Sequence, residues 1–308
     1  DSIMHTGTGR ITKLLMRPMS LYESLESNGS VSLNDIINGN DISGISKIDF
    51  DGLINAMIRG GWPESLNIDG ENKYKISKDY VQSLLTEEIK TVDGTLRNTS
   101  KMRAVLKSIS RNISTNVSKS TILEDVKTEF ASEVSRPTLD DYLNTLEKLY
   151  VLEYIPATNL NLRSKTPLRV SPKLELADPS LVIATLNLKR EDLINDLNFT
   201  GFIFENMCMR DLKIYADAID ARLSYYRDKN NFEVDCILET ADGKWGAIEI
   251  KLGAGEIPDA VSNLTKFKEN VDTDKYKEPA FLMVLTGADY SYKRDDGIYV
   301  VSIGTLKD

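Results

Sequence analysis

Between Glu233 and Lys251 the chain reads EVDCILETADGKWGAIEIK, two strand-length runs joined by a turn. In a strand, residues i and i+2 share a face. Trp245, Ala247, Glu249 and Lys251 therefore share one face of the second run, and Gly246, Ile248, Ile250 and Leu252 the other. In the first run Glu233, Asp235, Ile237 and Glu239 lie opposite Val234, Cys236 and Leu238. Opposed residues of a hairpin have a constant index sum, so loop length decides which side chains meet. A two-residue loop, Asp242-Gly243, sets Asp235 against Ile250, and a four-residue loop also parts the acids. A three-residue loop, Ala241 to Gly243, sets Asp235 directly against Glu249. Such loops commonly carry glycine in the left-handed conformation at the third position, where Gly243 stands.

Two carboxylates directly opposed, with Cβ atoms roughly 4.5–5.5 Å apart, repel and need a counter-charge. Lys251 is one source. A divalent cation, Mg²⁺ or Mn²⁺, is another, because Mg²⁺ takes carboxylate oxygens and keeps waters for a substrate phosphate. Such an ion polarises a phosphate and acidifies water. Lys251 would then orient that water or stabilise the charge that develops. Glu205 adds an acid on a mostly apolar helix, where a carboxylate close to the core requires a partner. The competing reading is plain: an acid followed by Glu-x-Lys also arises by chance on a solvated sheet face. The strand placement, the apolar flanks and Glu205 favour a metal site.

A net charge of −9 argues against a protein that coats nucleic acid. His5 is the sole histidine, so a histidine triad or a histidine-based zinc site is not expected. Cys208 and Cys236 form no spacing motif. No apolar run approaches the roughly 18–20 residues that span a bilayer. The opening DSIMHTGTGR lacks a basic-then-apolar signal pattern, so a cytoplasmic location without membrane association is the default expectation.

The pattern upstream is helical. A Ser/Asn/Gly-rich stretch, SNGSVSLNDIINGNDISGIS, reads as loop. DFDGLINAMIRGGWPESL reads as a helix with Leu53, Ile54, Met57 and Ile58 on one face, stopped by Gly60. KISKDYVQSLLTEEI is a further helix. Residues 100–156 then give three helices and a strand, the order of a winged helix-turn-helix. Ser118 or Ser120 caps the second helix, and Pro137 suits the first turn of the third. Its charges cancel, and Asp140, Asp141 and Glu147 lie on the third helix, where phosphate repulsion disfavours DNA reading. The following Arg163, Lys165, Arg169 and Lys173 are candidates for a wing that touches phosphate. Asp178 reads as a cap or turn residue, and Trp62, Trp245 and the tyrosines of YYR at 225–227 as packing residues. From residue 199 the order helix, three strands, helix, strand is α/β.

The phrases GRITKLLMRPMSLYES, GGWPE, TLDDYLNTLEKLYVLEYIPA, KLELADPSL, GFIFENMCMRDL, YYRDKNNFEVDCILE and AIEIKLG span nearly the whole chain. In this order they resemble a prokaryotic family of AAA-type ATPases with a winged helix and a C-terminal PD-(D/E)xK nuclease-like domain of unassigned function. The resemblance implies a multi-domain α/β protein. Residues 1–25 would be a remnant of the ATPase core, 26–98 a helical lid or linker, and 99–170 the winged helix. Residues 171–308 would be a restriction-endonuclease-like α/β domain with a mixed sheet. It also implies catalytic roles for Asp235, Glu249, Lys251 and Glu205, with the metal on Asp235 and Glu249. No P-loop is present: GTGRITK lacks the Lys-Ser/Thr pair and the spacing. The nucleotide site is therefore expected upstream, with ATP a ligand only of the longer parent. Arg10 and Arg17 are candidates to contact nucleotide or a neighbouring subunit. DNA and the upstream ATPase domain are the expected partners, and an oligomer is left open.

Overall fold

The computed structural model describes residues 14–68, 72, 74–89, 94–131, 133–158, 171–272 and 276–308. His5, Arg10, Arg163, Lys165 and Arg169 lie outside the described residues. The first elements are β1 (Val31–Ser32), α1 (Leu33–Ile37) and β2 (Ser43–Ile45), within the stretch expected to be loop. Runs of two to five residues are too short for periodicity to register, and their strands are fixed by distant partners. β1 pairs in parallel with the C-terminal residues Leu306 and Lys307, and β2 pairs with Tyr290–Tyr292.

α2 (Phe50–Arg59) is capped by Asp49 and ends at Gly60. α3 (Lys75–Ser83) runs on through a π-helical turn, Leu84–Glu88. α4 (Thr99–Arg111), α5 (Lys119–Phe130) and α6 (Arg136–Lys148) follow, with Asn98, Ser118 and Ser135 as N-caps. The side-chain oxygen of each accepts a backbone N–H of the first turn, which is why these residue types start helices. β3 (Leu152–Ile155) and β4 (Lys173–Leu176) form a separate antiparallel pair. β4 thus joins the three-helix region across the boundary expected at residue 171.

Asp178 caps α7 (Pro179–Leu186), as expected, and α8 (Arg190–Asn195) leads into the long α9 (Leu197–Ala218). Then come β5 (Ala221–Arg227), β6 (Glu233–Thr240), β7 (Trp245–Lys251), α10 (Ile257–Asn270), β8 (Phe281–Thr286), β9 (Tyr290–Lys293), β10 (Tyr299–Ser302) and β11 (Leu306–Lys307). β9 was not legible, because YSYK is short and half exposed. A seven-stranded mixed sheet has the order β2-β9-β10-β8-β7-β6-β5, with β7, β8 and β10 parallel neighbours. The architecture is α/β.

Both faces of that sheet are covered. Cys236, Leu238, Ile248, Ile250, Met283 and Val301 face α9 and the helical region in one large core. Ala247, Leu282, Val284 and Val300 face α10, whose Val261, Leu264 and Phe267 complete a second core. Full burial of such a side chain is worth about 1.5–3 kcal/mol, so the α10 stripe alone fixes the helix on the sheet. Cys208 and Cys236 are buried free thiols. Among the described residues no helix is long and apolar enough to cross a membrane.

α9 is buried along most of its length, and Thr200, Glu205, Asn206, Arg210, Asp211, Lys213 and Asp217 each reach a partner on another segment. Arg210 is the centre. It donates to Asp178 at 2.8 Å and to Asp211 at 2.7 Å, and all three are at most 3% exposed. Asp178 also accepts the Gly61 N–H, and Asp211 accepts the Leu21 N–H. Gly61 must be glycine, since a Cβ there would sit 2.2 Å from the Met19 carbonyl oxygen. Trp62 donates to Ser180 beside this network. Lys213 pairs with Glu153 on β3 at 2.6 Å. Arg17 reaches Glu153 and Asp217, so in this chain it makes intramolecular pairs.

Two outcomes follow. Arg210→Met strands two buried carboxylates and is expected to destabilise the fold by about 3–5 kcal/mol in urea titration. Burial raises the Glu153 carboxyl, but Lys213 and Arg17 outweigh it and hold it below the ordinary carboxylate range. A lowered folded pKa contributes stability above the unfolded value of about 4.5 and loses it as pH falls through the folded value. The stability gap between wild type and Glu153→Gln should therefore shrink on acidification below that value.

Candidate functional site: an acid cluster at the open end of a hairpin

The β6–β7 register is that of the three-residue loop. Cys236 pairs with Ile248, Leu238 with Gly246 and Glu239 with Trp245. Gly243 takes φ +79° at the third loop position, and the Thr240 N–H donates to the Lys244 carbonyl. The faces of β7 are as expected. Those of β6 are not. Ser224 pairs with Ile237 but Tyr226 with Val234, so Asp235 and Cys236 together face Tyr225. This extra residue breaks the alternation and turns Val234 to the same core as Ile237. Bulges re-aim side chains in this way, and no period-2 count can foresee one.

The bulge redirects Asp235 into the gap where the ladder with β7 ends. Its carboxylate accepts the Ile250 N–H at 2.8 Å. Glu249, 3% exposed, points to the α10 face, where Asn263 donates to its Oε1 at 2.7 Å. The same Asn263 amide donates to the Glu233 carbonyl at 2.9 Å, tying α10 to both strands. Lys251 joins the two acids: its Nζ lies 3.1 Å from Glu249 and 3.4 Å from Asp235. The sequence-predicted trio is thus assembled, through a shared ammonium.

Glu205 makes its ion pair outside that trio. Its partner is Lys173 on β4, at 3.1 Å. The Lys173 Nζ is also 2.5 Å from Glu233 and 5.4 Å from the centre of the Tyr225 ring. Arg227 binds the other oxygen of Glu233 at 3.1 Å. Lys173, read from sequence as a phosphate-touching wing residue, is instead 2% exposed and enclosed by acids. Behind it, Glu175 accepts from Asn206 and Ser114. Lys173 and Asn263 were missed as site residues because each lies on an element whose approach to β6 is set only by tertiary packing.

The electrostatics show a shortage of positive charge. Burial and the neighbouring Asp235 push Glu249 up to about 8, against Lys251 and Asn263. Burial also raises Glu205, with Asp235 and Glu175 adding to it and Lys173 opposing. Burial pulls the Lys251 ammonium down, but Asp235 and Glu249 hold it above the usual lysine range. For Lys173 the same contest is won by Glu205, Asp235 and Glu233. Both ammonium groups therefore stay charged at neutral pH.

A hard divalent cation fits this donor set. Asp235 and Glu249 already share one cationic partner, so one point is within reach of both carboxylates. Mg²⁺ is commonly held by one or two carboxylates, with water and phosphate completing the shell. Among the described residues no group of three or more His, Cys, Asp or Glu side chains is placed to hold a metal. Asp235 and Glu249 offer two carboxylates around the Lys251 ammonium. A cavity of about 800 Å³ lies elsewhere, over β5 and β3, and is lined by Glu153, Lys213, Arg222 and Trp245.

Residues 51–192 match the model of a domain of unknown function, DUF8612, and residues 200–306 that of another, DUF4143. The second is a kind of domain that usually sits after an AAA-type ATPase. No curated protein and no solved structure matches the chain.

Asn263→Ala removes a donor from a buried carboxylate and from a strand carbonyl. It is expected to lower stability by about 1–3 kcal/mol in chemical denaturation.

Proposed function

We propose that the open end of the β6–β7 hairpin is a metal-dependent phosphodiester-cleaving site acting on nucleic acid, with DNA the first candidate. One observation carries the reading: the Lys251 ammonium lies within 3.1–3.4 Å of Glu249 and Asp235 at once. Asp235 and Glu249 would hold Mg²⁺ or Mn²⁺, which when bound neutralises a substrate phosphate and acidifies water.

The protein's own groups do the rest. The Ile250 N–H fixes one oxygen of Asp235, and Asn263 fixes one oxygen of Glu249. Both carboxylates are thereby oriented before substrate arrives. Lys251, charged at neutral pH, is the donor that would leave its acids for a phosphate oxygen and stabilise the charge that builds there. Glu205 supports the site from behind, through Lys173.

We read α4–α6 with the β3–β4 pair as a winged helix that packs and does not read bases. Two of the acids of α6 are held in pairs within the chain: Asp141 pairs with Arg97 at 2.8 Å and Asp140 with Lys119 at 2.6 Å. The DUF4143 match supports placing the whole beside an AAA-type ATPase, with ATP bound by that domain and not by this chain.

The test is cleavage of single- and double-stranded DNA and RNA by the full chain with Mn²⁺. Asp235→Asn and Lys251→Ala are each expected to lose about 100-fold or more in rate. Absence of cleavage, or equal cleavage by the variants, would overturn the catalytic reading in favour of a non-catalytic nucleic-acid- or protein-binding module.

A further inference from the structure

The four carboxylates at the hairpin end are divided between two lysines. Lys251 takes Asp235 and Glu249. Lys173 takes Glu205 and Glu233. The two lysines differ in their surroundings. Lys251 is on the site's own strand and partly open, with its side chain 27% exposed. Lys173 is enclosed, held by Glu205 from α9 and Glu233 from β6, and lies against the ring of Tyr225 from β5. An ammonium so placed makes charge-assisted hydrogen bonds in a low-dielectric setting, and removing it would leave the buried Glu205 carboxylate without its ion-pair partner. Lys251 is therefore free to exchange its place for an incoming cation, and Lys173 is not.

Resting on the metal-site reading above, we propose that Lys173 is a built-in cation that takes the role a second divalent ion has in two-metal sites. The chain then binds one divalent cation, on Asp235 and Glu249. Glu205 is a positioning residue for Lys173 and not a metal ligand. This departs from the role that the family pattern assigns to the helix acid. It follows from the pairing of Glu205 with Lys173, an ammonium that Glu233 also holds and that is 2% exposed. Two-metal sites hold their ions about 3.5–4 Å apart and bridge them with acids. Here the acids beyond Asp235 are already bridged by an ammonium.

The decisive measurement is Mn²⁺ stoichiometry and affinity on the full chain, by calorimetry and by electron paramagnetic resonance of free Mn²⁺, without substrate. Wild type is expected to bind one Mn²⁺ per chain, and Asp235→Asn none. Glu205→Gln should keep one ion, with Kd shifted by less than about tenfold, the reach of a residue one step removed from the metal. Lys173→Ala, which frees Glu205 and one oxygen of Glu233, should take up a second ion, and Lys173→Arg should stay at one. Two ions on wild type would overturn the proposal, as would loss of binding in Glu205→Gln to the level of Asp235→Asn. Glu205→Gln decides the matter even where Lys173→Ala fails to fold. No binding by wild type would instead overturn the metal-site reading itself, and this inference with it.

Discussion

The buried pairing of Arg210 with Asp178 and Asp211 is the constraint on which the rest of the chain is assembled. Three ionised groups out of water are costly unless every donor and acceptor is met. Here Asp178 collects the Gly61 N–H and the start of α7, and Asp211 collects the Leu21 N–H. One guanidinium thus fixes the N-terminal segment, the turn after α2, the cap of α7 and the middle of α9 relative to each other. Glu205 and Asn206 lie one turn or so N-terminal on the same helix, and Lys213 one turn C-terminal. All of them meet β3 or β4. The polar spine of α9 sets the distance between the helical region and the seven-stranded sheet. The acid cluster forms in that gap.

Much of this was legible where a rule has a fixed period. The helices from α2 to α6 and α10 appear where apolar spacing and caps place them. The hairpin register is one of those that loop length left open, the three-residue loop with glycine at its third position. Two features broke the rule. The extra residue in β6 is a local insertion into a two-residue repeat, visible only against the partner strand. The strands β2 and β9 are too short to carry a pattern and exist because each completes the other's ladder.

The site was half legible for the same reason. Asp235, Glu249 and Lys251 lie on adjacent strands, and strand geometry relates them. Glu205 stood out as a carboxylate on an apolar helix, but the sequence holds no rule that finds its partner 32 residues earlier. Lys173 read as one basic residue among several in a segment. Its burial comes from the pairing of β4 with β3 and from α9 lying over both, which are tertiary facts. Asn263 likewise shows no signal of its own on α10, whose apolar stripe is the only feature that spacing reveals.

The strand that carries Lys173 does not belong to the sheet that carries the acids. β4 forms a two-stranded ladder with β3, while Glu233, Asp235 and Glu249 lie on β6 and β7 of the seven-stranded sheet. The ammonium is thus lent by one structural unit to another. A sheet unit folded without its neighbour would keep its acids and lose the charge that balances them, so the two units are bound by electrostatic need as well as by packing. The cluster is in that sense a joint: its protonation and its appetite for cations record whether the two units are seated together.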